Sequence, residues 1–210
     1  IDHDEKIALL GKNGEGKSTL SKLLANRISL LTGSFIKSSK LRIGYFSQHQ
    51  TDELRKDETP FDHLSRARPN KSVSERKKIL GGFGIGADQS ELKVSAMSGG
   101  QKARLLLLLA TLDKPHLLIL DEPTNHLDIE SREALIEALT KFSGAVILVS
   151  HDFHLLSLVS DKLWLVKNGT VHQYEEDLET YRSDILIKKP KKSSKVSKNS
   201  AGKKEIQKKI

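Results

Sequence analysis

A glycine-rich segment near the start of the chain has the residue types and spacing that bind phosphate. Its nine residues are Gly11, Lys12, Asn13, Gly14, Glu15, Gly16, Lys17, Ser18 and Thr19. A glycine, four further residues and then Gly-Lys-Ser form the phosphate-loop (Walker A) pattern. The glycines allow backbone N–H groups to converge on phosphate oxygens, while Lys17 adds a positive charge and Ser18 a ligand for Mg²⁺. A glycine turn with a chance lysine is disfavoured, because a predicted strand precedes the segment and a predicted helix follows it.

Two carboxylates come directly after an apolar run in the second half of the chain. These are Asp121 and Glu122, and residues 116–120 before them are predicted to form a buried strand. Ligands of parallel α/β sheets gather at the carboxyl ends of the strands. We therefore expect Asp121 to hold Mg²⁺ and Glu122 to polarise an attacking water. Acids at strand ends are common, but together with the phosphate loop this pair predicts ATP hydrolysis.

The elements that must position these residues alternate along the chain. Apolar runs predict strands at residues 6–10, 35–36, 41–46, 116–120, 145–149, 163–166 and 170–174. Helical spacing is found at residues 17–27, 101–112, 128–142 and 154–159. Asn168-Gly169 is a strong hairpin signal between the last two strands. The alternation predicts an α/β fold, a P-loop NTPase core with a mostly parallel sheet and a small antiparallel β part.

A charged segment interrupts this alternation and predicts a helical insert at about residues 49–112. Charges are dense from Gln48 to about Lys93, and Pro60 and Pro69 punctuate short helical patterns. The glycines of residues 81–86 follow a charged helical stretch and no strand, so they predict a turn and not a second nucleotide loop.

The composition bounds the class of protein and its partners. The chain has 210 residues, no cysteine and a net charge of +8. Its acidic start does not resemble a signal peptide, and no apolar run is long enough for a membrane helix, so we expect a cytoplasmic protein. Residues 188–210 contain ten lysines and one glutamate, a charge of +9 that leaves about −1 for the remainder. We expect an ordered domain over residues 1–187 and a disordered lysine-rich tail over 188–210.

Three further segments narrow the prediction to a family. Residues 98–101 precede a leucine-rich helix, His151 follows the last apolar strand of the core, and Gln48 follows a strand. In this order, over about residues 6–174, they resemble ATP-binding-cassette proteins. The resemblance implies that Gln48 meets Mg²⁺ and the attacking water and that His151 contacts the γ-phosphate. Asp128 matches the aspartate of the loop after the Mg²⁺ strand, at the contact between cassettes. The signature segment, which binds the ATP held by a second cassette, consists of Ser98, Gly99, Gly100 and Gln101.

Residues 122–128 and 44–50 are more particular, and they resemble the ABC-F class. Members of that class carry two cassettes in one chain, lack a membrane domain and act on the ribosome. Met97 stands where the signature usually begins with leucine, a change that keeps an apolar anchor. The chain does not begin with Met, and no aromatic residue for adenine stacking precedes Gly11. We therefore expect it to be a fragment that pairs with a second cassette elsewhere.

Two functions stay open on the residues alone. One is an ABC-F ATPase that acts on the ribosome, with ATP and Mg²⁺ as cofactors. The other is the ATP-hydrolysing subunit of a membrane transporter. A module that uses ATP only to close is a third reading, disfavoured because Glu122 is present. The tail suits RNA through phosphate neutralisation; a solvated tail and contact with an anionic membrane are the less favoured alternatives.

Overall fold

The computed structural model of the protein describes residues 1–47, 54–125 and 127–187. The strands are β1 (Lys6–Leu10), β2 (Ile43–Ser47), β3 (Leu117–Asp121), β4 (Ala145–Val149), β5 (Lys162–Lys167) and β6 (Thr170–Gln173). The helices are α1 (Lys17–Leu24), α2 (Pro60–Ala67), α3 (Val73–Gly82), α4 (Ala87–Ser90), α5 (Gly99–Thr111), α6 (Ile129–Thr140), α7 (Phe153–Val159) and α8 (Leu178–Ile187). The chain divides into two units, residues 1–178 and 179–210, and every strand belongs to the first.

The six strands form one sheet in the order β2-β3-β4-β1-β5-β6. All neighbours are parallel except β5 and β6, which form an antiparallel hairpin. The hairpin turns at Asn168 and Gly169, whose φ angles of 51° and 75° are both positive, as a two-residue turn with this handedness requires. The predicted α/β class, the mostly parallel sheet and the antiparallel part are therefore confirmed.

The centre of the sheet is buried and holds the ends of the strands in place. Every residue of β1, β3 and β4 is buried, as expected for parallel strands covered on both faces. Leu9, Ile119 and Ile147 belong to one core cluster, against which Leu20 and Leu24 of α1 pack. The carboxyl ends of these strands lead directly into the phosphate loop, the acidic pair and the segment that contains His151.

Helix α1 ends three residues earlier than its apolar spacing predicts. Asn26 adopts a left-handed conformation with φ 55°. Its N–H bonds the Leu23 carbonyl, and the Arg27 N–H bonds the Lys22 carbonyl at 2.8 Å. This pair of bonds is the Schellman motif, for which asparagine is the usual alternative to glycine. Asn26 was therefore the signal of the helix end.

The described residues between β2 and α5 contain the helices α2, α3 and α4, in agreement with the predicted helical insert. Thr59 caps α2 and Ser72 caps α3, each in a capping box with the acid three residues later. Pro60 occupies the first turn of α2, where its missing N–H costs no hydrogen bond. Helix α3 ends at Gly82 and Gly84 has φ 70°, which confirms a turn in the glycine-rich segment.

The strand predicted at residues 35–36 is wrong. Phe35 and Ile36 lie in a loop, and the side chain of Ile36 is 92 % exposed. Strand β2 pairs with β3, and no strand of the described residues lies beside residues 35–36. Two apolar residues do not form a strand without a neighbour to pair with.

None of the helices within the described ranges is both long and apolar enough to span a membrane.

Candidate functional site

The phosphate loop connects β1 to α1, and its glycines serve different purposes. Gly14 and Gly16 have φ angles of 87° and 101°, and a Cβ at either would meet nothing within 4 Å. Glycine is needed at these two positions only because the backbone has a positive φ, and not because space is short. A Cβ at Gly11 would instead lie 2.6 Å from the Val166 carbonyl oxygen. The start of the loop is therefore packed directly against β5, while its tip stays open to solvent.

Lys17 places its charge inside the loop. The residue is 8 % exposed, and its Nζ donates to the carbonyls of Gly11 at 2.7 Å and Lys12 at 3.0 Å. Burial lowers the pKa of Lys17, and the carboxylates of Glu122 and Asp121 oppose that shift. The positive charge of Lys17 and the negative charges of Glu122 and Asp121 therefore lie close together beside the phosphate loop.

The start of α1 has the character of an anion site. Its cap residue Gly16 provides no side-chain hydrogen bond, and the first turn contains no acidic residue. The first N–H groups of the helix and the positive end of its dipole therefore face the loop without a capping side chain. Ser18 and Thr19 are exposed in this first turn, where a hydroxyl can reach a bound phosphate or cation.

Glu15 fastens the loop to the far hairpin. Its Oε2 accepts a hydrogen bond from the Asn168 N–H at 2.8 Å. The two residues are 153 positions apart, and no local pattern connects them. Sequence reasoning placed Glu15 in the loop but missed this contact with the β5–β6 turn.

The predicted acidic pair lies at the end of β3. Asp121 is 7 % exposed, and its Oδ1 is buried without a hydrogen-bond partner among the described residues. A buried, unpartnered carboxylate oxygen is costly and matches a hard cation as ligand. The described residues contain no cluster of three or more His, Asp or Glu side chains that could hold a metal. This donor set fits Mg²⁺, which binds through one or two carboxylates together with substrate phosphates.

Glu122 is held in a strained backbone conformation. Its φ is 54°, in the left-handed region that a side chain seldom occupies. Its N–H donates to the Val149 carbonyl at 2.8 Å, so the chain turns sharply after β3 while remaining tied to β4. Burial raises the pKa of Glu122, whereas the nearby His151 and Lys17 lower it and Asp121 raises it further.

His151 lies beside Glu122. Its Nε2 is 3.6 Å from Glu122 Oε1, and its backbone N–H donates to Glu122 Oε2 at 3.4 Å. The side chain is 63 % exposed. In the sheet register Ser47 pairs with Asp121, and Asp121 pairs with Val149. Gln48, which follows Ser47, lies outside the described residues.

The predicted signature segment forms the start of α5. Ser98 caps the helix in a capping box with Gln101, whose Oε1 accepts from the Ser98 N–H at 2.8 Å. Met97 is 4 % exposed, in keeping with the expected apolar anchor. Gly99 is exposed and Gly100 is buried. The capping box and the buried side chain of Met97 thus hold the backbone of the segment in place, and Gly99 is its residue exposed to solvent.

Asp128 and the signature segment are neighbours. Asp128 caps α6 and accepts from the Ser131 N–H at 2.8 Å. Hydrogen bonds from Ser131 hold the pKa of Asp128 below its usual value, and the charge of Arg104 adds to the effect. The predicted residues therefore fall into two groups, one around the phosphate loop and one around Gly100 and Asp128.

A mostly parallel α/β sheet buried at its centre, a phosphate loop and a pair of acidic residues at a strand end together define the class of P-loop ATP-binding cassettes. The sequence profile of the family described as "ABC transporter" matches residues 1–125. The chain belongs to this family, and its relatives place it in the ABC-F group.

The assignment to the ABC-F group rests on curated relatives. The "Probable ATP-binding protein YheS" of Escherichia coli K12 is 47 % identical over 177 residues, which cover 84 % of this chain and 28 % of that protein. "ABC transporter F family member 4" of Arabidopsis thaliana is 41 % identical and "Protein GCN20" of Saccharomyces cerevisiae is 40 % identical. These matches cover 88 % and 89 % of this chain, but 27 % and 25 % of the two relatives. The chain thus spans about a quarter of the length of each of these three relatives.

Solved structures share the fold at low identity. One is the ATP-binding cassette MJ0796, described as a dimer in a post-hydrolysis state with ADP and Pi. It matches with a TM-score of 0.68 at 22 % identity, covering 84 % of this chain and 88 % of that one. A putative metal-chelate type ABC transporter in an inward-facing conformation matches with a TM-score of 0.66 at 21 % identity, covering 83 % of this chain and 73 % of that chain.

Proposed function

We propose that this cassette binds ATP in its phosphate loop and hydrolyses it when a second cassette closes over the nucleotide. The observation that carries the proposal is the grouping of Lys17, Asp121, Glu122 and His151 at one edge of the sheet. Charge balance supports it, because two carboxylates and a buried ammonium are held together where a phosphate and a cation would complete the set.

The side chains take separate roles in this proposal. Lys17 and the N–H groups of residues 11–19 hold the β- and γ-phosphates. Ser18, Asp121 and Gln48 would hold Mg²⁺, which when bound draws charge from the phosphate oxygens. Glu122 accepts a proton from the attacking water. Its raised pKa makes it a stronger base than an exposed carboxylate. His151 contacts the γ-phosphate and holds the Glu122 carboxylate in place.

The second half of the site comes from another cassette. Residues 98–101 begin a helix whose N–H groups can bind the γ-phosphate held by the opposite cassette, with Asp128 at the contact between the two. Kinship to two-cassette ABC-F proteins supports this pairing.

We place the action of the full protein on the ribosome. Support comes from the ABC-F relatives and from the ten lysines of residues 188–210, which can neutralise RNA phosphates. No membrane partner is part of this proposal.

Glu122→Gln in the full-length protein tests both parts. Removing the base lowers ATP turnover by about 10²–10⁴-fold while ATP binding persists, so the variant accumulates in a closed state. Glu133→Gln, an exposed residue of α6, is the matched control and keeps wild-type turnover. Wild-type turnover by Glu122→Gln would contradict the catalytic assignment.

Cosedimentation with purified ribosomes tests the partner. The trapped Glu122→Gln variant pellets with ribosomes in ATP, and added salt weakens the interaction. Deleting residues 188–210 lowers this affinity and flattens its salt dependence. If the trapped variant fails to pellet with ribosomes but binds vesicles that contain a membrane partner, the transporter alternative is correct.

A further inference from the structure

Arg104 joins three separate segments of the chain through its guanidinium group. It lies on α5, one helical turn after Gly100. Nη2 donates to Ser131 Oγ of α6 at 2.9 Å, and Nη1 donates to the Gly84 carbonyl in the turn after α3 at 3.3 Å. Because the guanidinium is a planar fork with fixed donor directions, these two bonds restrict the position of α5 relative to both neighbours.

The junction that Arg104 closes lies beside the signature segment. A Cβ at Gly100 would be 3.1 Å from Ser131 Oγ and 3.7 Å from Asp128 Oδ2. The starts of α5 and α6 are therefore in close contact, with little space to slide. Ser131 serves both sides of this contact, since its hydroxyl accepts from Arg104 and its N–H donates to Asp128 Oδ1 at 2.8 Å.

A continuous chain of hydrogen bonds thus runs from the signature helix to the aspartate of the following loop. Arg104 bonds Ser131, and Ser131 bonds Asp128. Ser98 and Gln101 cap their own helix start, so the signature segment is rigid and moves with α5. Whatever fixes α5 against α6 also fixes the signature segment against Asp128.

We propose that Arg104 is a positioning residue that holds residues 98–101 and Asp128 as one unit facing the second cassette. This inference rests on the proposed function, since it concerns hydrolysis at a site shared by two cassettes. Neither of the two hydrogen bonds of Arg104 reaches the phosphate loop or the acidic pair. Its loss misaligns the groups offered to the opposite ATP and leaves the loop of its own cassette intact.

The test compares two arginines that make the same kind of bond pair. Arg104→Met in the full-length protein removes both bonds and keeps an apolar stem. Arg76→Met is the matched control, because Arg76 also bonds a serine hydroxyl (Ser65 Oγ, 2.8 Å) and a carbonyl (Pro69, 3.1 Å), but within the helical insert. For each protein kcat and KM for ATP, the thermal midpoint and the affinity for a fluorescent ATP analogue are measured.

The expected result is a selective loss of turnover. Arg104→Met lowers kcat by about tenfold, since small misplacements of reacting groups cost up to ~10²-fold, and affinity for the analogue is unchanged. Arg76→Met lowers the thermal midpoint to a similar extent and leaves kcat unchanged. Arg104→Lys, which restores one donor and the charge, recovers part of the turnover. The loss of kcat in the double variant Arg104→Met with Ser131→Ala is smaller than the sum of the losses in the two single variants, because the two side chains share the Arg104–Ser131 bond, while the Ser131 hydroxyl also bonds Asp128.

The contrary outcomes separate this inference from the proposed function. Equal losses of kcat in Arg104→Met and Arg76→Met would overturn the positioning role while wild-type hydrolysis stands. A loss of analogue affinity in Arg104→Met equal to its loss of kcat would also overturn it, because the effect would then be general damage. Absence of hydrolysis by the wild-type protein would refute the proposed function itself.

Discussion

Replacing Gly11 with alanine tests how closely the phosphate loop is packed against the sheet. Gly11 has φ 147°, and a Cβ there would lie 2.6 Å from the Val166 carbonyl oxygen. Carbon atoms approach carbonyl oxygens to about 3.3 Å, so the loop or β5 must move by roughly 0.7 Å. Strand β5 cannot yield easily, because it is paired with β1 from Ile7 to Leu10. The new methyl group therefore strains the backbone and overpacks its neighbour.

Gly14 provides the matched control for the size of the effect. It too has a positive φ, of 87°, but a Cβ there meets nothing within 4 Å. Gly14→Ala thus costs only the backbone strain, about 1–3 kcal/mol. Gly11→Ala costs that strain and a further ~1–3 kcal/mol of overpacking. The difference of about 2 kcal/mol corresponds to a thermal midpoint roughly 4–8 °C lower for a chain of this size.

Thermal unfolding of the nucleotide-free proteins, followed by circular dichroism, measures this difference. Gly11→Ala melts well below Gly14→Ala, and both bind a fluorescent ATP analogue more weakly than wild type because each bends the loop. Equal midpoints for the two variants would show that the contact with Val166 does not constrain the loop, and the packing argument would then be wrong.

Two further predictions concern the acidic strand end. Burial raises the pKa of Glu122, and Glu122 must be ionised to act as a base. As the pH is lowered, turnover of the full-length protein therefore begins to fall at a pH above the ordinary pKa of glutamate, about 4.3. A kcat/KM–pH profile measures this, and a limb at or below that value would contradict the role of burial. Asp121→Asn removes the charge of a buried carboxylate that has an unpartnered oxygen, so the Mg²⁺ dependence of ATP binding is lost. Normal Mg²⁺ dependence of ATP binding in this variant would argue against a metal ligand at this position.

The residues of the phosphate loop and the acidic pair were predictable because each depends on local pattern. A glycine spacing, an apolar run and the two acids after it are all read within ten residues, and parallel strand ends then bring them together. The hairpin at Asn168 and Gly169 was predictable for the same reason, since its turn chemistry is local.

What the sequence did not reveal depends on residues distant in the chain. The supposed strand at residues 35–36 failed because pairing is decided by a neighbour and not by two apolar side chains. Glu15 and Asn168 meet across 153 positions, and Arg104 meets Ser131 across 27. Arginine and serine side chains have many possible partners in a sequence, and only the contact between the starts of α5 and α6 selects this one.

The strain at Glu122 shows why the site needs the buried sheet behind it. A left-handed conformation at a non-glycine residue costs about 1–3 kcal/mol, and it persists only where surrounding structure fixes the chain. Here β3 is buried along its whole length before the turn, and the Glu122 N–H is held by the Val149 carbonyl after it. Relaxing that turn would break the bond to β4 and move the carboxylate away from His151. The apolar residues of β3 and β4 thus determine where the proposed base lies, through their burial and through the backbone bond of Val149 to Glu122.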